Sequence, residues 1–514
     1  MIGAVALVST LVDSGVEVCF MNPGTSEMHF VQSLDAVPAM RGVLTLFEGV
    51  ATGAADGYAR LAGRPAAVLL HLGPGLGNGL ANLHNARRAH SPLVCVVGAQ
   101  ATYHARFDPP LQSDIETVAH NVAGWVETSG HEREVGSDAA RAVAAAHEHG
   151  GQVAVLVLPA DVSWNDGGVP AAPVEVPDAS AVDPAAVAAA AERITGASCV
   201  LLLGGRALSE RGLRAASRIA AATGARLLVE CFPARLERGA GLPDVERVAY
   251  LAERVAPQLA GATDLVLLGA PPPAAFFAYP GRPDDLVPDG CTVHPLAAPG
   301  QDVEAVLDEL ADRLASGVEP VVTAPATPPA PTGALTPQTL ADAVALTLPE
   351  NAVLVDEAIT AGGRLPASTA GAARHTLLTL TGGAIGQGLP AATGAAVAAP
   401  HRPVVCVQAD GSAMYTVQAL WTQAREQLDV TTVLVNNASY AILRAELDRV
   451  GAEGPRERAQ AMLSLADPEL DFVALATGTG VPAVRVETAE DLVRELRRAV
   501  TEPGPHLVEV MMRG

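Results

Sequence analysis

Short, mostly apolar runs recur along the chain and alternate with longer alanine-rich stretches. The runs include Val16–Phe20, Ala66–Leu70 and Val94–Val97, then Val200–Leu203 and Leu265–Leu268, then Pro403–Val407, Thr431–Val435 and His506–Met511. They are too short for helices, rich in Val and Leu, and lack the in-out alternation of a half-exposed strand. That pattern predicts strands of a parallel sheet covered on both faces. Segments such as Ser412–Gln427 supply the covering helices. Two stretches break the pattern, Asn165–Asp183 and Glu319–Pro337. Both are rich in proline and small residues, which keep the backbone extended and leave little to bury. They divide the chain into units at 1–165, 183–318 and 336–514. The expected fold is α/β, with three Rossmann-like parallel-sheet domains of ordinary size.

Composition narrows the classes of function. With 514 residues, 49% hydrophobic and 17% charged, the chain reads as a soluble globular protein with extensive burial. Its 56 acidic and 33 basic residues give a formal charge of −23, which argues against nucleic acid or an anionic membrane as partner. Every basic residue other than histidine is arginine. A lysine Schiff base and a P-loop lysine are therefore excluded. None of the 6 cysteines forms a CxxC pair, so they read as reduced core thiols. The 13 histidines include no HExxH spacing, so zinc is not expected. The N-terminal segment reads as a helix rather than a leader, and no apolar span has membrane length. A cytoplasmic protein is expected.

The chemistry is concentrated near the C-terminal end. The strand Pro403–Val407 leads into Ala409-Asp410-Gly411-Ser412, and Thr431–Val435 leads into Asn436-Asn437. Asp410 and Asn437 thus stand at the ends of two strands, where α/β proteins place ligands. A carboxylate, an amide oxygen and a backbone carbonyl are hard oxygen donors suited to Mg²⁺ or Ca²⁺. Ser412 and the amides opening the next helix can hold a phosphate. Together they form a candidate metal-bridged diphosphate site.

This arrangement resembles the diphosphate-anchoring motif of thiamine diphosphate enzymes, with Ala409 in place of the usual first glycine. The N-terminal unit adds Asn22-Pro23-Gly24-Thr25-Ser26-Glu27, then Leu46-Phe47-Glu48-Gly49, then His71-Leu72-Gly73-Pro74-Gly75. In order along nearly the whole chain, these motifs resemble the acetolactate synthase and benzoylformate decarboxylase family. The resemblance implies a pyrimidine-binding domain at 1–165, a central domain at 183–318 and a diphosphate-binding domain at 336–514. It implies thiamine diphosphate and Mg²⁺ as cofactors and a 2-oxo acid as substrate. A flavin is not expected, because the central unit has no GxGxxG fingerprint.

Particular residues inherit roles from the same resemblance. Glu48 matches the glutamate that faces N1′ of the aminopyrimidine and promotes loss of the C2 proton. Ile385, in Thr381–Pro390, matches the apolar wedge that bends the cofactor, and Gly383 would offer main-chain hydrogen bonds. Thr360 matches a diphosphate-contacting hydroxyl. Asp410, Asn437 and the Ser439 carbonyl are the implied metal ligands, with Gly411, Ser412 and Tyr440 against the diphosphate. Thr25 and His71 match substrate-side residues of the decarboxylase branch. That branch carries a second histidine where this chain has Phe276. Ile442 and Glu446 would line the substrate pocket.

The missing second proton donor favours carboligation after decarboxylation, as in acetolactate synthase. Simple benzoylformate-type decarboxylation, acyl-CoA lyase or ligase chemistry, and a catalytically silent regulatory paralogue are the alternatives. Because Glu48 and Asp410 lie in different domains, the resemblance also implies a homodimer or homotetramer with sites shared between subunits.

Overall fold

The computed structural model describes residues 1–279, 281–451 and 457–512. Its strands form three sheets. The first contains β1 (Val18–Met21), β2 (Arg41–Leu44), β3 (Ala66–Leu70), β4 (Leu93–Ala99), β5 (Trp125–Thr128) and β6 (Val153–Pro159). All its pairings are parallel, in the order β2-β1-β3-β4-β6-β5. The middle sheet is built from β7 (Cys199–Leu203), β8 (Arg226–Val229), β10 (Asp264–Leu268) and β11 (Thr292–Ala297), in the order β11-β10-β7-β8.

The third sheet contains β12 (Ala352–Glu357), β13 (His375–Thr379), β14 (Val404–Ala409), β15 (Val430–Asn436), β16 (Ala483–Val486) and β17 (His506–Met511). These six run in the order β13-β12-β14-β15-β17-β16. Renumbered from its own first strand, that order is the same as in the first sheet. In both sheets the chain leaves the first strand to one side and returns on the other. The switch points therefore lie between β1 and β3 and between β12 and β14, where the strand ends open a crevice.

One strand departs from the expected all-parallel arrangement. β9 (Leu236–Arg238) follows β8 in the chain but pairs antiparallel with β13 at the edge of the third sheet. Thr376 Oγ1 donates to Glu237, and Thr379 Oγ1 donates to the Pro233 carbonyl at 2.8 Å. The edge of the third sheet is thereby covered, which removes a row of unpaired backbone groups from solvent.

The first and third units share one core. It runs from Phe20, Val68 and Leu70 through Tyr58 to Leu389, Ala392 and Leu434, all buried. At its centre, helix α1 (Glu48–Ala62) crosses a helix of the third unit, Gly388–Ala398. Glycine makes that approach possible. A methyl group on Gly394 would overlap the Ala54 carbonyl oxygen, and one on Gly57 would overlap the Ala391 carbonyl oxygen. The two backbones touch with no side chain between them. This fixes the start of α1, with Glu48, relative to the loop 381–387 that precedes the second helix. Among the described residues, no helix is long and apolar enough to cross a membrane.

Candidate active site

The first cluster forms at the β1/β3 switch point. After β1 the chain makes a short 3₁₀ turn over Thr25–Glu27, and β3 delivers His71 beside it. The buried Glu27 carboxylate accepts from the Gly24 amide at 2.8 Å, the Ser26 hydroxyl at 2.5 Å and His71 Nδ1 at 2.8 Å. Ser26 Oγ also lies 3.3 Å from His71 Nδ1. An acceptor at Nδ1 selects the tautomer with the proton there and leaves Nε2 free as an acceptor. Thr25 is exposed, and its hydroxyl makes no hydrogen bond among the described residues. Glu27 and Ser26 are the partners of His71 that motif reading did not single out. The signal available was their adjacency to Gly24-Thr25 in the same turn.

Glu48 opens α1, where the helix N-terminus favours a carboxylate. It is buried, and Oε2 accepts from Asn78 Nδ2 at 3.1 Å. Asn78 belongs to α2 (Leu72–Arg88), the helix that follows His71.

The loop 381–387 lies between the first and third units. Gly383 adopts φ +77°, which strains any other residue, and a methyl there would meet Phe276 Cζ at 2.5 Å. Phe276 therefore lies directly on this loop, at the edge of an aromatic group with Phe232, Tyr250 and Phe277. Ile385 is partly buried. Beneath the loop sits Glu357, fully enclosed at the end of β12. It accepts from the Gly386 amide at 2.7 Å, the Gly388 amide at 2.6 Å and Gln408 Nε2 at 3.0 Å. Burial pushes its carboxyl above the ordinary carboxylate range, and these donors partly oppose the shift. Nothing in the local sequence marks Glu357, because its partners come from loops brought together only by the sheet.

On the other side of that carboxylate is the Asp410 cluster. Asp410 begins helix α3 (Asp410–Thr416). Its carboxylate accepts from the Gly411 amide at 2.8 Å and the Asn437 amide at 3.0 Å. Burial raises its pKa against the pull of those amides. Among the described residues it has no cationic partner. Asn437 Oδ1 accepts from the Ser439 amide at 3.0 Å, and the preceding Ala438 takes φ +53° to make the turn. Asn436 turns away, donating to Glu509 at 2.7 Å. The Ser412 hydroxyl is engaged with Gln408 at 2.6 Å and the Ala409 carbonyl at 3.1 Å, leaving its backbone amide toward the crevice end of the helix. The Tyr440 ring covers Gly411, where a Cβ would not fit. Thr360 is exposed in the turn after β12.

Beyond Tyr440 runs α4 (Ala441–Arg449), with Ile442 partly buried on it. Glu446 on the same helix accepts from the Tyr279 hydroxyl at 2.8 Å and from Arg449 at 2.7 Å. It ties the third unit to the aromatic segment that carries Phe276.

The two units that carry these clusters match known family models. Residues 1–121 match the thiamine pyrophosphate enzyme N-terminal TPP binding domain, and residues 364–510 match the C-terminal TPP binding domain. The chain belongs to the thiamine pyrophosphate enzymes. Among members of this family, it is 59% identical to a Mycobacterium tuberculosis protein provisionally named acetolactate synthase large subunit IlvX, covering 99% of both chains. It is 28% identical to benzoylformate decarboxylase of Pseudomonas aeruginosa, over 96% of both chains. Its fold is similar to that of the thiamine diphosphate-dependent 4-hydroxybenzoylformate decarboxylase of Rhodococcus jostii RHA1. That match has a TM-score of 0.86 and 25% identity, and covers 100% of this chain and 99% of the other. The family assignment brings thiamine diphosphate as cofactor. The residues fit it: a loop with open backbone groups at Gly383, and a buried carboxylate with neutral oxygen donors at Asp410, where a cation could bridge to phosphates.

Proposed function

We propose that this protein decarboxylates a 2-oxo acid and joins the resulting acyl fragment to a second carbonyl compound, as an acetolactate synthase-like carboligase. The observation that carries the reading is Phe276, which packs against the loop at Gly383. Its ring offers no proton at the position where a decarboxylase would need a second donor. Without a donor there, protonation of the carbon that has lost CO₂ is slowed, and addition to a carbonyl competes better. The 59% identity to the M. tuberculosis relative supports the same reading.

When bound, thiamine diphosphate supplies the electron sink for decarboxylation. In this reading, Glu48 faces the aminopyrimidine and, held by Asn78, favours the tautomer that can accept a proton. Ile385 wedges the two rings, and the backbone at Gly383 holds the pyrimidine. Asp410, Asn437 Oδ1 and the Ser439 carbonyl would hold Mg²⁺, and Gly411, Ser412, Tyr440 and Thr360 would receive the diphosphate. His71, fixed by Glu27 and Ser26, moves a proton at the substrate through Nε2, with Thr25 beside the substrate carboxylate. Ile442 limits the size of the substrate side chain. The units at 1–165, 183–318 and 336–514 serve as the pyrimidine-binding, central and diphosphate-binding domains of a cytoplasmic homodimer or homotetramer.

A second reading is simple decarboxylation. The His71–Glu27–Ser26 group favours it, because one correctly held histidine can deliver a proton. Incubation with a panel of 2-oxo acids, measuring CO₂ and product mass together, separates the two. Ligated products in yield matching CO₂ support carboligation. Aldehydes alone overturn it.

A further inference from the structure

We propose that Asn85, on α2 in the first unit, is a positioning residue that sets the conformation of the loop carrying Gly383 and Ile385. The inference rests on the proposed role of that loop against the aminopyrimidine.

Asn85 is fully buried and brackets a single residue of the third unit. Its Nδ2 donates to the Ala384 carbonyl at 2.7 Å, and its Oδ1 accepts from the Ala384 amide at 3.2 Å. The second Nδ2 hydrogen goes to Asn82 Oδ1 at 3.0 Å. One side-chain amide thus satisfies both backbone groups of Ala384, as a neighbouring strand would. Its orientation is dictated, since reversing the amide would set NH₂ against N–H.

Two more residues of α2 extend the grip. His84 Nε2 lies 3.1 Å from the Gly382 carbonyl, and Asn82 Nδ2 lies 3.3 Å from the Gly386 carbonyl. The helix therefore takes backbone groups of residues 382, 384 and 386. The intervening Gly383 and Ile385 make no backbone hydrogen bond among the described residues. The alternation leaves the peptide groups of every second residue without a protein partner among the described residues. Those are the two residues proposed to meet the pyrimidine.

The same helix also reaches Glu48. Asn78 donates to Glu48, and Asn82 Nδ2 donates to the Gly49 carbonyl at 2.8 Å. Asn82 and Asn85 consequently link the residue after Glu48 to the residue before Ile385 through three hydrogen bonds. The start of α1 and the loop are thereby joined within one chain. Asn85→Asp keeps the shape but places a second acceptor against the Ala384 carbonyl and Asn82 Oδ1 in a buried space. Asn85→Ala removes the bracket without adding repulsion.

The test uses the full-length protein with three measurements. Amide hydrogen exchange of residues 381–388 without cofactor reads the loop directly. Near-ultraviolet circular dichroism of bound thiamine diphosphate reads its tautomer. C2–H/D exchange of the bound cofactor reads its activation. Both variants are expected to show faster amide exchange in the loop and a weakened imino-tautomer band. C2 exchange should slow by ~10–10², the scale of an ångström-sized misplacement, more in Asp than in Ala. Diphosphate-driven cofactor affinity should stay close to wild type, which a general loss of structure would not allow. If either variant fails to fold, His84→Ala, which releases only the Gly382 carbonyl, is expected to shift the same three signals in the same direction. Wild-type signals in a folded Asn85→Ala or His84→Ala protein would overturn the inference. If the wild type itself gives no acceleration of C2 exchange over free cofactor, the functional reading fails instead, while the loop exchange still reports on Asn85.

Discussion

Glu27 and His71 lie 44 residues apart in the chain and close a 2.8 Å hydrogen bond at the switch point of the first sheet. The carboxylate takes three donors at once: the Gly24 amide, the Ser26 hydroxyl and the imidazole. The Gly24 amide and the imidazole share Oε2 while Ser26 uses Oε1, so glutamine can keep both with its NH₂ turned to the Ser26 hydroxyl, whereas alanine keeps none. Glu27→Ala is therefore expected to release the imidazole. Turnover of the 2-oxo acid should fall by about 10–10², the scale for losing a carboxylate that orients a histidine. Steady-state kinetics across pH checks this, and an unchanged rate and pH profile would exclude His71 from the chemistry.

Glu48→Gln should abolish cofactor activation without preventing cofactor binding. An amide cannot favour the reactive tautomer as a carboxyl does, and one acid–base contribution of this kind is worth about 10²–10⁴ in rate. C2–H/D exchange in the bound cofactor, followed by proton NMR, should slow by that factor. Exchange at the wild-type rate would remove Glu48 from the mechanism.

Asp410→Ala should lose metal-dependent cofactor binding, because the site's one carboxylate would be gone and only neutral oxygen donors would remain. Calorimetric titration of thiamine diphosphate with and without Mg²⁺ tests it. Wild-type affinity in the variant would place the metal elsewhere.

Glu230 provides a pH test of stability. It sits after β8, accepts from the Gly205 amide at 3.1 Å, and burial raises its pKa to about 7. A carboxyl with a raised folded-state pKa favours the fold while protonated. That contribution is present below the unfolded value near 4.5 and is lost as pH rises toward 7. Glu230→Gln should match the wild type in melting temperature near the acid end of this window. It should become the more stable protein as pH rises through it, with a constant margin above. Parallel melting curves at every pH would show that Glu230 is not desolvated.

Shared sites make a further demand. If Glu48 of one subunit serves the Asp410 cluster of another, mixing Glu48→Gln and Asp410→Ala subunits should restore part of the activity, since a mixed dimer rebuilds one intact site. Mixed dimers isolated with two affinity tags and found inactive would overturn the arrangement.

Eight of the strands, and the motifs in the two segments that match the family models, were legible in the sequence because each depends on residues adjacent in the chain. Apolar runs end at glycine or at polar residues, and Asp410 and Asn437 follow such runs directly. Glu357, Asn82 and Asn85 were not legible. Asn85 meets Ala384 across 299 residues, and no local pattern distinguishes an asparagine that grips a distant loop from one that caps its own helix. β9 escaped for a related reason, since a three-residue strand at a sheet edge has too few residues to show a period. The turn after β1 was picked out with Thr25 as its candidate hydroxyl, but side-chain geometry decides which hydroxyl faces His71, and it is Ser26.

The repeated strand order gives the chain an internal correspondence. After the first strand of the first sheet stands Glu27, joined to His71 after the third strand. At the end of the corresponding strand of the other sheet stands Glu357, joined to Gln408 at the end of the strand corresponding to β3. Two buried carboxylates thus occupy equivalent corners of two copies of one plan, each bound to at least one backbone amide and to one side chain across the crevice. In one copy that side chain is an imidazole, which can exchange protons with a bound molecule. In the other it is an amide, which cannot. A single difference of partner therefore distinguishes the two corners, an imidazole at one and a primary amide at the other.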